Sequence, residues 1–244
     1  MSFVITLYVR EGIVMASDSR LTLNSETVAG AVRTRSLAVA LSDANYKTFL
    51  APNRIGISTY GAADIGGVPI GGYIESFLVD KVADSPATPE TVARGLLAHF
   101  QQFAPPPATQ FHVGGYAEQN GTSAQQVWHV DVAGGRVEQM NPPGQYGATW
   151  GGEADILARL VQPVGQLDNA GKLTGPLPHF PIPFQFFTLQ DAIDFAVFAL
   201  RATIDAIRFQ PRAKTVGGPI DVLVIKPTEA TWIQRKALQG ERRV

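Results

Sequence analysis

Two short apolar runs open the chain, with a charged, glycine-containing turn between them. Residues 3–9 and 13–19 are rich in β-branched side chains. Such runs on either side of a glycine turn predict a β-hairpin. Residues 36–42 and 54–60 have the same character, so the pattern predicts two further strands there.

The next apolar positions follow helical spacing. Between residues 64 and 83 they recur every three or four positions, which predicts a helix. A second helix is predicted after Thr88, because threonine is a favoured N-cap and Pro89 suits the first helical position. Three consecutive prolines at 105–107 end this helix near residue 103.

The second half of the chain begins with strand patterns. Strands are predicted near 110–116, 126–132 and 136–140, with a Gly-Gly turn before the last. A short helix is predicted over 153–163. The stretch 164–187 is rich in proline and glycine, and predicts an irregular loop.

A long apolar helix is predicted over about 189–207. Thr188 is its expected N-cap, and Asp191 at the third helical position completes a capping box, although aspartate is weaker there than glutamate. The helix is apolar on most sides, as is typical of a helix covered by a sheet and a neighbour. Strands at 219–226 and 230–233 follow.

The order of these elements decides the fold class. It is not an alternation of strands and helices, and it predicts an α+β fold in which two antiparallel sheets pack together with helices on both outer faces. The chain is 45% hydrophobic and 17% charged, which is typical of a globular protein with a sizeable core. We expect one domain over residues 1–234 and a basic, solvated tail at 235–244.

Charge and composition exclude several kinds of function. The net charge of −1 gives no electrostatic case for binding nucleic acid or an anionic membrane. There is no cysteine, and the four histidines lack metal-ligand spacing, so neither a disulfide nor a metal site is expected. Without a signal peptide or a long apolar stretch, we expect a cytoplasmic protein.

Ser2 is the first candidate for chemistry. It follows the initiator methionine, and methionine aminopeptidase acts before small residues, so Ser2 could become the mature N-terminus. A free α-amine, with a reference pKa of about 7.7–8.0, can accept the proton of the hydroxyl on the same residue. Serine is also common after an initiator methionine, so this position alone is not specific.

Five segments in order carry a family resemblance: 2–22, 46–67, 113–139, 187–207 and 216–225. The first runs from Ser2 through an acidic-glycine turn to Asp-x-Arg-x-Thr, and the second leads from Lys47 into a strand and a glycine turn. Together they resemble the β-subunits of proteasomes and their bacterial relatives of HslV and ancestral-β-subunit type. The resemblance implies the four-layer αββα sandwich of N-terminal-nucleophile hydrolases.

The resemblance also implies an activity, the hydrolysis of peptide bonds through an acyl-enzyme. Ser2 would be the nucleophile, and Lys47 would support its α-amine and stabilise negative charge. Asp18 would pair with Lys47 and orient it, and the backbone N–H of Gly61 would stabilise the oxyanion. Three of these residues also have an ordinary interpretation: Lys47 as a lysine at a strand edge, Asp18 as a carboxylate at a strand end and Gly61 as a turn glycine.

Five further residues match positions that bind substrate in the family. Thr22 would bind the substrate backbone as an added strand. The first specificity pocket would be lined by Asn45, Phe49, Thr59 and Ala63, although ordinary packing around a strand pair also explains these residues. The resemblance further implies a homo-oligomeric ring or ring-like assembly and a peptide substrate, with no cofactor. An ATPase that delivers the substrate is a possible partner that the sequence leaves open.

The chain departs from the family at its supporting residues. Where the family has a Ser-Gly turn, residues 150–153 read Trp-Gly-Gly-Glu, and residues 213–218 lack the expected aspartate and serine. Asp205 replaces that aspartate only if the alignment slips. Two alternatives therefore stay open: a catalytically inactive structural subunit, and a small-molecule acylase whose pocket is roofed by residues 165–187.

Overall fold

The computed structural model of the chain describes residues 2–29, 32–83 and 86–237. Within these ranges the protein is a mixed α+β fold with four α-helices and five antiparallel sheets, two of which have five strands. The helices are α1 (Ile70–Phe77), α2 (Pro89–Phe100), α3 (Asp155–Val161) and α4 (Leu189–Phe209).

The strands alternate with these helices only loosely. In chain order they are β1 (Phe3–Val9), β2 (Gly12–Ser17), β3 (Leu21–Ala29), β4 (Val32–Ser42), β5 (Thr48–Ala51), β6 (Ile55–Gly61), β7 (Asp64–Ile65), β8 (Val68–Pro69), β9 (Thr109–Gln119), β10 (Thr122–Asp131), β11 (Arg136–Gln139), β12 (Gly147–Gly152), β13 (Gly165–Leu167), β14 (Leu173–Pro176), β15 (Asp221–Ile225) and β16 (Ala230–Gln234).

The first large sheet has the order β12-β1-β2-β15-β16, and we call it sheet I. The predicted hairpin over 3–9 and 13–19 is confirmed as β1 and β2, and it forms the middle of this sheet. Strand β12 pairs with the outer edge of β1 and was not predicted, because three of its six residues are glycines. Every residue of β1 and β2 is buried, as expected for central strands covered on both faces.

Sheet II has the order β11-β10-β9-β6-β5 and contains the three strands predicted in the middle of the chain. Two of its glycines let sheet I approach closely. A β-carbon on Gly56 would lie 2.4 Å from the Met15 sulfur, and one on Gly114 would lie 3.3 Å from the same atom. Ile13, Met15 and Leu223 of sheet I therefore pack directly onto the backbone of sheet II.

The helices cover the outer faces of the two sheets. Helices α1 and α2 share a core with sheet II that includes Ile74, Leu96 and Phe111, whereas α3 and α4 pack on sheet I. Ala196 and Leu200 of α4 are fully buried against it. This layering is compatible with a sandwich.

Both predicted helix starts are confirmed. Thr88 and Thr91 form a reciprocal capping box at α2, and Pro89 occupies its first turn. At α4 the side chain of Thr188 accepts from the Asp191 amide, and the Asp191 carboxylate accepts from the Thr188 amide at 2.9 Å. The shorter aspartate therefore closes the box as glutamate would.

The helix predicted over 64–83 begins later than expected. Residues 64–69 form the small hairpin β7–β8, because Gly66 and Gly67 adopt positive φ angles of 60° and 83° that a helix does not accommodate. The helix starts at Ile70, and a π-helical turn at Leu78–Val82 extends it.

The segment 164–187 is more ordered than the predicted loop. It contains the hairpin β13–β14 and a 3₁₀ turn at Phe184–Phe186. The Asp168 carboxylate accepts from the amides of Ala170 and Lys172, both at 2.9 Å, and so closes the hairpin turn. Side-chain turn chemistry of this kind leaves no trace in hydrophobic periodicity.

Strands β3 and β4, between Asp18 and Lys47, pair as a long hairpin, of which the sequence predicted only the part at 36–42. No helix in the described ranges is long and apolar enough to cross a membrane. The same residues contain no group of three or more histidine, aspartate or glutamate side chains placed to hold a metal ion.

A polar strip lies between the sheets. The hydroxyl of Thr6 lies 3.2 Å from Nδ1 of His112, and the rings of Tyr60 and His112 meet edge to face with centroids 5.3 Å apart. His112 is fully enclosed, and this burial lowers its pKa to about 3, with the nearby His129 acting in the same direction.

Burial of His112 predicts a loss of stability in mild acid. The unfolded chain binds a proton at this residue near pH 6.5, whereas the folded protein does so only near pH 3. The free energy of unfolding is therefore independent of His112 above about pH 6.5 and decreases as the pH falls toward 3. Between roughly pH 6 and 5, the free energy of unfolding of the wild type should fall more steeply than that of His112→Gln. The difference should be about 1 kcal/mol per pH unit.

Urea unfolding of both proteins across this pH range measures the difference. His179→Gln is the matched control, because His179 is exposed. Parallel stability curves for wild type and His112→Gln would contradict the prediction.

Candidate active site

One buried carboxylate gathers four hydrogen bonds from separate parts of the chain. Oδ1 of Asp18 accepts from the amide of Phe3 at 3.0 Å and from Nζ of Lys47 at 2.7 Å. Oδ2 accepts from the amides of Arg20 at 3.1 Å and Gly217 at 3.0 Å. Asp18 has no exposed surface, so these donors replace the water that an ionised carboxylate requires.

The local fold explains why Asp18 reaches the start of the chain. It directly follows β2, and its amide donates to the Phe3 carbonyl at 3.3 Å, which continues the β1–β2 ladder by one step. Ser19 is bound to the segment before β15, because its amide donates to the Gly217 carbonyl at 2.9 Å and its hydroxyl donates to the Pro219 carbonyl at 2.6 Å. The turn after β2 is thus fixed between β1 and the segment before β15.

Lys47 is almost completely buried and forms a salt bridge with Asp18. Its carbonyl accepts from the Thr59 amide at 2.8 Å, which ties its backbone to β6. Burial lowers the pKa of Lys47, the Asp18 carboxylate opposes this shift, and the cations of Lys236 and Arg20 add to it. Lys47 therefore releases its proton more readily than an exposed lysine.

Ser2 is held by the turn that follows β12. Its carbonyl accepts from the Glu153 amide at 2.8 Å. A β-carbon on Gly152 would lie 1.8 Å from the same carbonyl oxygen, and Gly152 has a φ of 89°. Only glycine fits there. Residues 150–153, which resemble the family's Ser-Gly turn, thus lie next to Ser2 but contain no serine.

Ser2 and Lys47 line one narrow cleft between the sheets. Three of the four predicted pocket residues, Asn45, Thr59 and Ala63, line it as well. Its volume is about 10 Å³, which is room for about one water molecule. The structure therefore brings the predicted nucleophile, the lysine and most of the pocket to one place.

The remaining predicted site residues do not line this cleft. Phe49 is buried in the core beside α1, and Thr22 is buried in β3. Gly61 ends β6 with a φ of 99°, and a β-carbon on it would lie 2.4 Å from the Ala108 carbonyl oxygen. Its neighbour Ala62, which does line the cleft, donates its amide to the same oxygen at 2.9 Å.

Gly217 was missed as a functional residue. The family resemblance indicated only that residues 213–218 lack an aspartate and a serine. In the structure, the Gly217 amide donates to Asp18. A β-carbon on Gly217 would lie 2.6 Å from the guanidinium carbon of Arg20, so glycine makes room for that side chain. Asp205 does not replace the missing aspartate, because it lies on the exposed side of α4.

Lys236 was also missed, because it was expected in a solvated tail. Its side chain is buried in a salt bridge with Asp221, and its amide donates to the same carboxylate at 2.8 Å. Nζ of Lys236 also lies 4.4 Å from the ring centre of Tyr46. The signal was available: Asp221 interrupts an apolar strand, and a buried carboxylate requires a cation or several donors. The rest of the tail, 238–244, lies outside the described residues.

Ser2 brings a hydroxyl to the cleft, and Lys47 brings an amine that is paired with the buried Asp18 carboxylate. Such groups are suited to nucleophilic attack and proton transfer. Neither the protein-family models nor the curated proteins compared with this chain give a match. The function must therefore be inferred from these residues and their geometry.

Replacement of Gly152 tests the contact that holds Ser2. Gly152→Ala places a methyl group against the Ser2 carbonyl and forces alanine into a positive φ, so we expect a loss of about 2–3 kcal/mol of stability in urea unfolding. Gly72→Ala is the control, because this helical position has open space around it and alanine favours helix. Equal stabilities of the two variants would contradict the close contact.

Removal of the Asp18 charge tests the buried ion pair. Asp18→Asn keeps the shape of the side chain but leaves the Lys47 ammonium buried without a counter-ion, so we expect a loss of about 3–5 kcal/mol. Asp43→Asn breaks the more exposed pair with Arg20 and should cost about 0–1 kcal/mol.

The double variant Asp18→Asn/Lys47→Met identifies the cause of this loss. It removes both charges, so it should recover part of the stability measured by urea unfolding. A double variant no more stable than Asp18→Asn would show that the loss does not come from the unpaired lysine.

Proposed function

We propose that this protein is an N-terminal-nucleophile hydrolase of the proteasome-subunit type, with the four-layer αββα fold of that family. The observation that carries the proposal is that Ser2 and Lys47 line one cleft while Asp18 bonds both Lys47 and the amide that follows Ser2. The two facing antiparallel sheets with helices on their outer sides support it.

In the proposed reaction, removal of Met1 frees the α-amine of Ser2. The Ser2 hydroxyl attacks the carbonyl carbon of an amide, and the α-amine accepts the hydroxyl proton and passes it to the leaving nitrogen. The amide C–N bond breaks and leaves an ester on Ser2. Water then attacks this ester with the same amine as the base, and Ser2 is regenerated.

Lys47 and Asp18 act on the electrostatics of this step. The Lys47 cation favours the neutral form of a nearby α-amine and stabilises the negative charge that develops on the attacked carbonyl. Asp18 keeps Lys47 protonated against the effect of its burial and fixes its position. No metal or organic cofactor takes part in the proposed reaction.

The oxyanion donor in this proposal is the amide of Gly61. The amide of Ala62, its neighbour in the cleft wall, already donates to the Ala108 carbonyl and is not free for substrate. Gly61 directly precedes Ala62 in the cleft wall, and its missing side chain makes room for the Ala108 carbonyl, whose oxygen would lie 2.4 Å from a β-carbon.

The proposed substrate is a peptide bound in extended form along Thr22, with a small side chain near Asn45, Thr59 and Ala63. Small and uncharged pocket walls favour such a residue. We further propose that the enzyme is cytoplasmic, that it assembles with copies of itself, and that an ATPase delivers its substrate.

A catalytically inactive subunit is the second candidate, and a specific observation favours it. The supporting groups of the family are absent at the matched positions: residues 150–153 read Trp-Gly-Gly-Glu, and Ala213 and Val216 stand where the family has its aspartate and serine. The acylase alternative has less support, because no residue from 165–187 is among those that line the cleft.

Intact-mass analysis after treatment with a peptide epoxyketone tests the proposed nucleophile. Epoxyketones bond to both a hydroxyl and the adjacent free amine, so one adduct per chain reports loss of Met1 and a reactive Ser2 together. We expect one adduct in the wild type, no adduct in Ser2→Ala and one adduct again in Ser2→Thr.

The alanine variant is a matched control, because alanine is also small enough for methionine removal. A wild-type mass that retains Met1 and gains no adduct would overturn the enzyme proposal in favour of the structural subunit. An adduct together with cleavage of small amides but not of peptides would favour the acylase.

A further inference from the structure

The last turn of α3 and the segment between α3 and α4 expose several large apolar side chains. We call this surface the insertion patch and define it by Leu160, Val164, Leu167, Leu173, Leu177 and Phe180. Phe180 is 86% exposed, Leu173 64% and Leu167 60%. Side chains of this size are normally found singly on a protein surface, not in a group.

Backbone pairing and hydrogen bonds connect the parts of the insertion patch. Leu167 and Leu173 are direct cross-strand partners in the hairpin β13–β14, so their side chains share a face. The Leu177 amide donates to the Val164 carbonyl at 2.9 Å. His179, next to Phe180, lies 3.2 Å from the Val161 carbonyl of α3 through Nε2.

The hairpin within this patch is too short to be stable by itself. Its strands have three and four residues, and all but one of these residues are exposed. A two-stranded hairpin in water is marginal unless a packed face supports it. Its outer edges pair with no other strand in the described part of the chain, and free strand edges are sites for pairing with another chain.

The size of the patch matches a protein interface. From their exposed fractions, the six side chains offer on the order of 600 Å² of apolar surface, at roughly 150–200 Å² for a whole side chain. This equals or exceeds the largest patch on a typical monomer, about 300–600 Å². Two such patches bury about 1,200 Å², the lower limit for a specific interface before its polar rim is counted.

The chemistry of the patch favours a copy of the same chain over other partners. Residues 164–187 contain one aspartate and one lysine, and the aspartate is occupied in closing the hairpin turn. A membrane-binding surface requires a group of basic residues around its apolar face, which this segment lacks. Interfaces between identical subunits are more apolar than transient ones, and a two-fold axis can pair one hairpin edge with itself.

We propose that the insertion patch is a self-association surface, where the β13–β14 hairpins of two copies meet through Leu167, Leu173 and Phe180. This contact is independent of hydrolysis, so it should form equally in a Ser2→Ala chain. A measurement of the oligomeric state can therefore disprove the contact without affecting the enzyme proposal. The adduct experiment can disprove the enzyme proposal without affecting the contact.

Sedimentation velocity over a wide dilution range measures the contact. The wild type should form an assembly. The double variant Leu173→Ser/Phe180→Ser should lose at least one association step, so its mass should be about half that of the wild type or less. Val79→Ser is the matched control, because Val79 is 71% exposed but lies on the helix layer of the other sheet, and its mass should equal that of the wild type. Circular dichroism verifies that all three are folded.

The absence of cysteine allows a second measurement. In the single-cysteine variants Leu173→Cys and Val79→Cys, maleimide labelling of the first should slow about tenfold as protein concentration rises, whereas labelling of the second should not. A double variant with the wild-type mass, a wild type that is monomeric throughout, or a monomer that sediments with lipid vesicles would each overturn the proposal.

Discussion

The bonding of the Asp18 carboxylate is the constraint on which the structure around the cleft depends. A fully buried carboxylate is tolerated only when its oxygens are saturated with donors, and those donors come from β1, the turn after β2, Lys47 and the segment before β15. Each segment therefore occupies the place that the carboxylate allows. A change at any of them alters the others through this one side chain.

A second buried ion pair lies beside the first. Asp221 is opposite Ser17 in the register of β15 and β2, one residue from Asp18, and it binds Lys236. The two pairs are close enough to interact, because the Lys236 cation acts on Lys47 and the Asp18 carboxylate acts on Lys236. Burial lowers the pKa values of both lysines, while the carboxylates raise them. Apolar residues of similar volume often replace a buried ion pair with no loss of stability, so the energy of folding alone does not account for these two pairs.

Much of the fold follows from hydrophobic period and turn chemistry. The first hairpin, the two capped helices at Thr88 and Thr188 and most strands of both large sheets were predictable, because their signals are local. Strand β12 and the β13–β14 hairpin were not, since glycines and side-chain turns hide them. The late start of α1 follows from the backbone angles of Gly66 and Gly67, which periodicity does not record.

In the candidate site, too, some residues were predictable from local sequence signals and others were not. Ser2, Asp18 and Lys47 could be named from motif spacing, because the residues that carry side-chain chemistry are distinctive. Gly217 acts through its amide alone, and any residue type has one, so composition gives no signal. The apolar strand around Asp221 signals that this carboxylate needs a cation, but only the folded structure identifies Lys236, 15 residues further along the chain, as that cation.

The backbone around Ser2 is fixed on both sides of one peptide group. The carbonyl of Ser2 is held by Glu153, and the amide of Phe3, in the same peptide plane, is held by Asp18. This plane cannot turn without loss of both bonds. Movement at Ser2 is therefore confined to rotation of its hydroxymethyl group and to the atoms on its amino side. A residue anchored in this way meets an incoming molecule in one orientation, with little entropy left to lose.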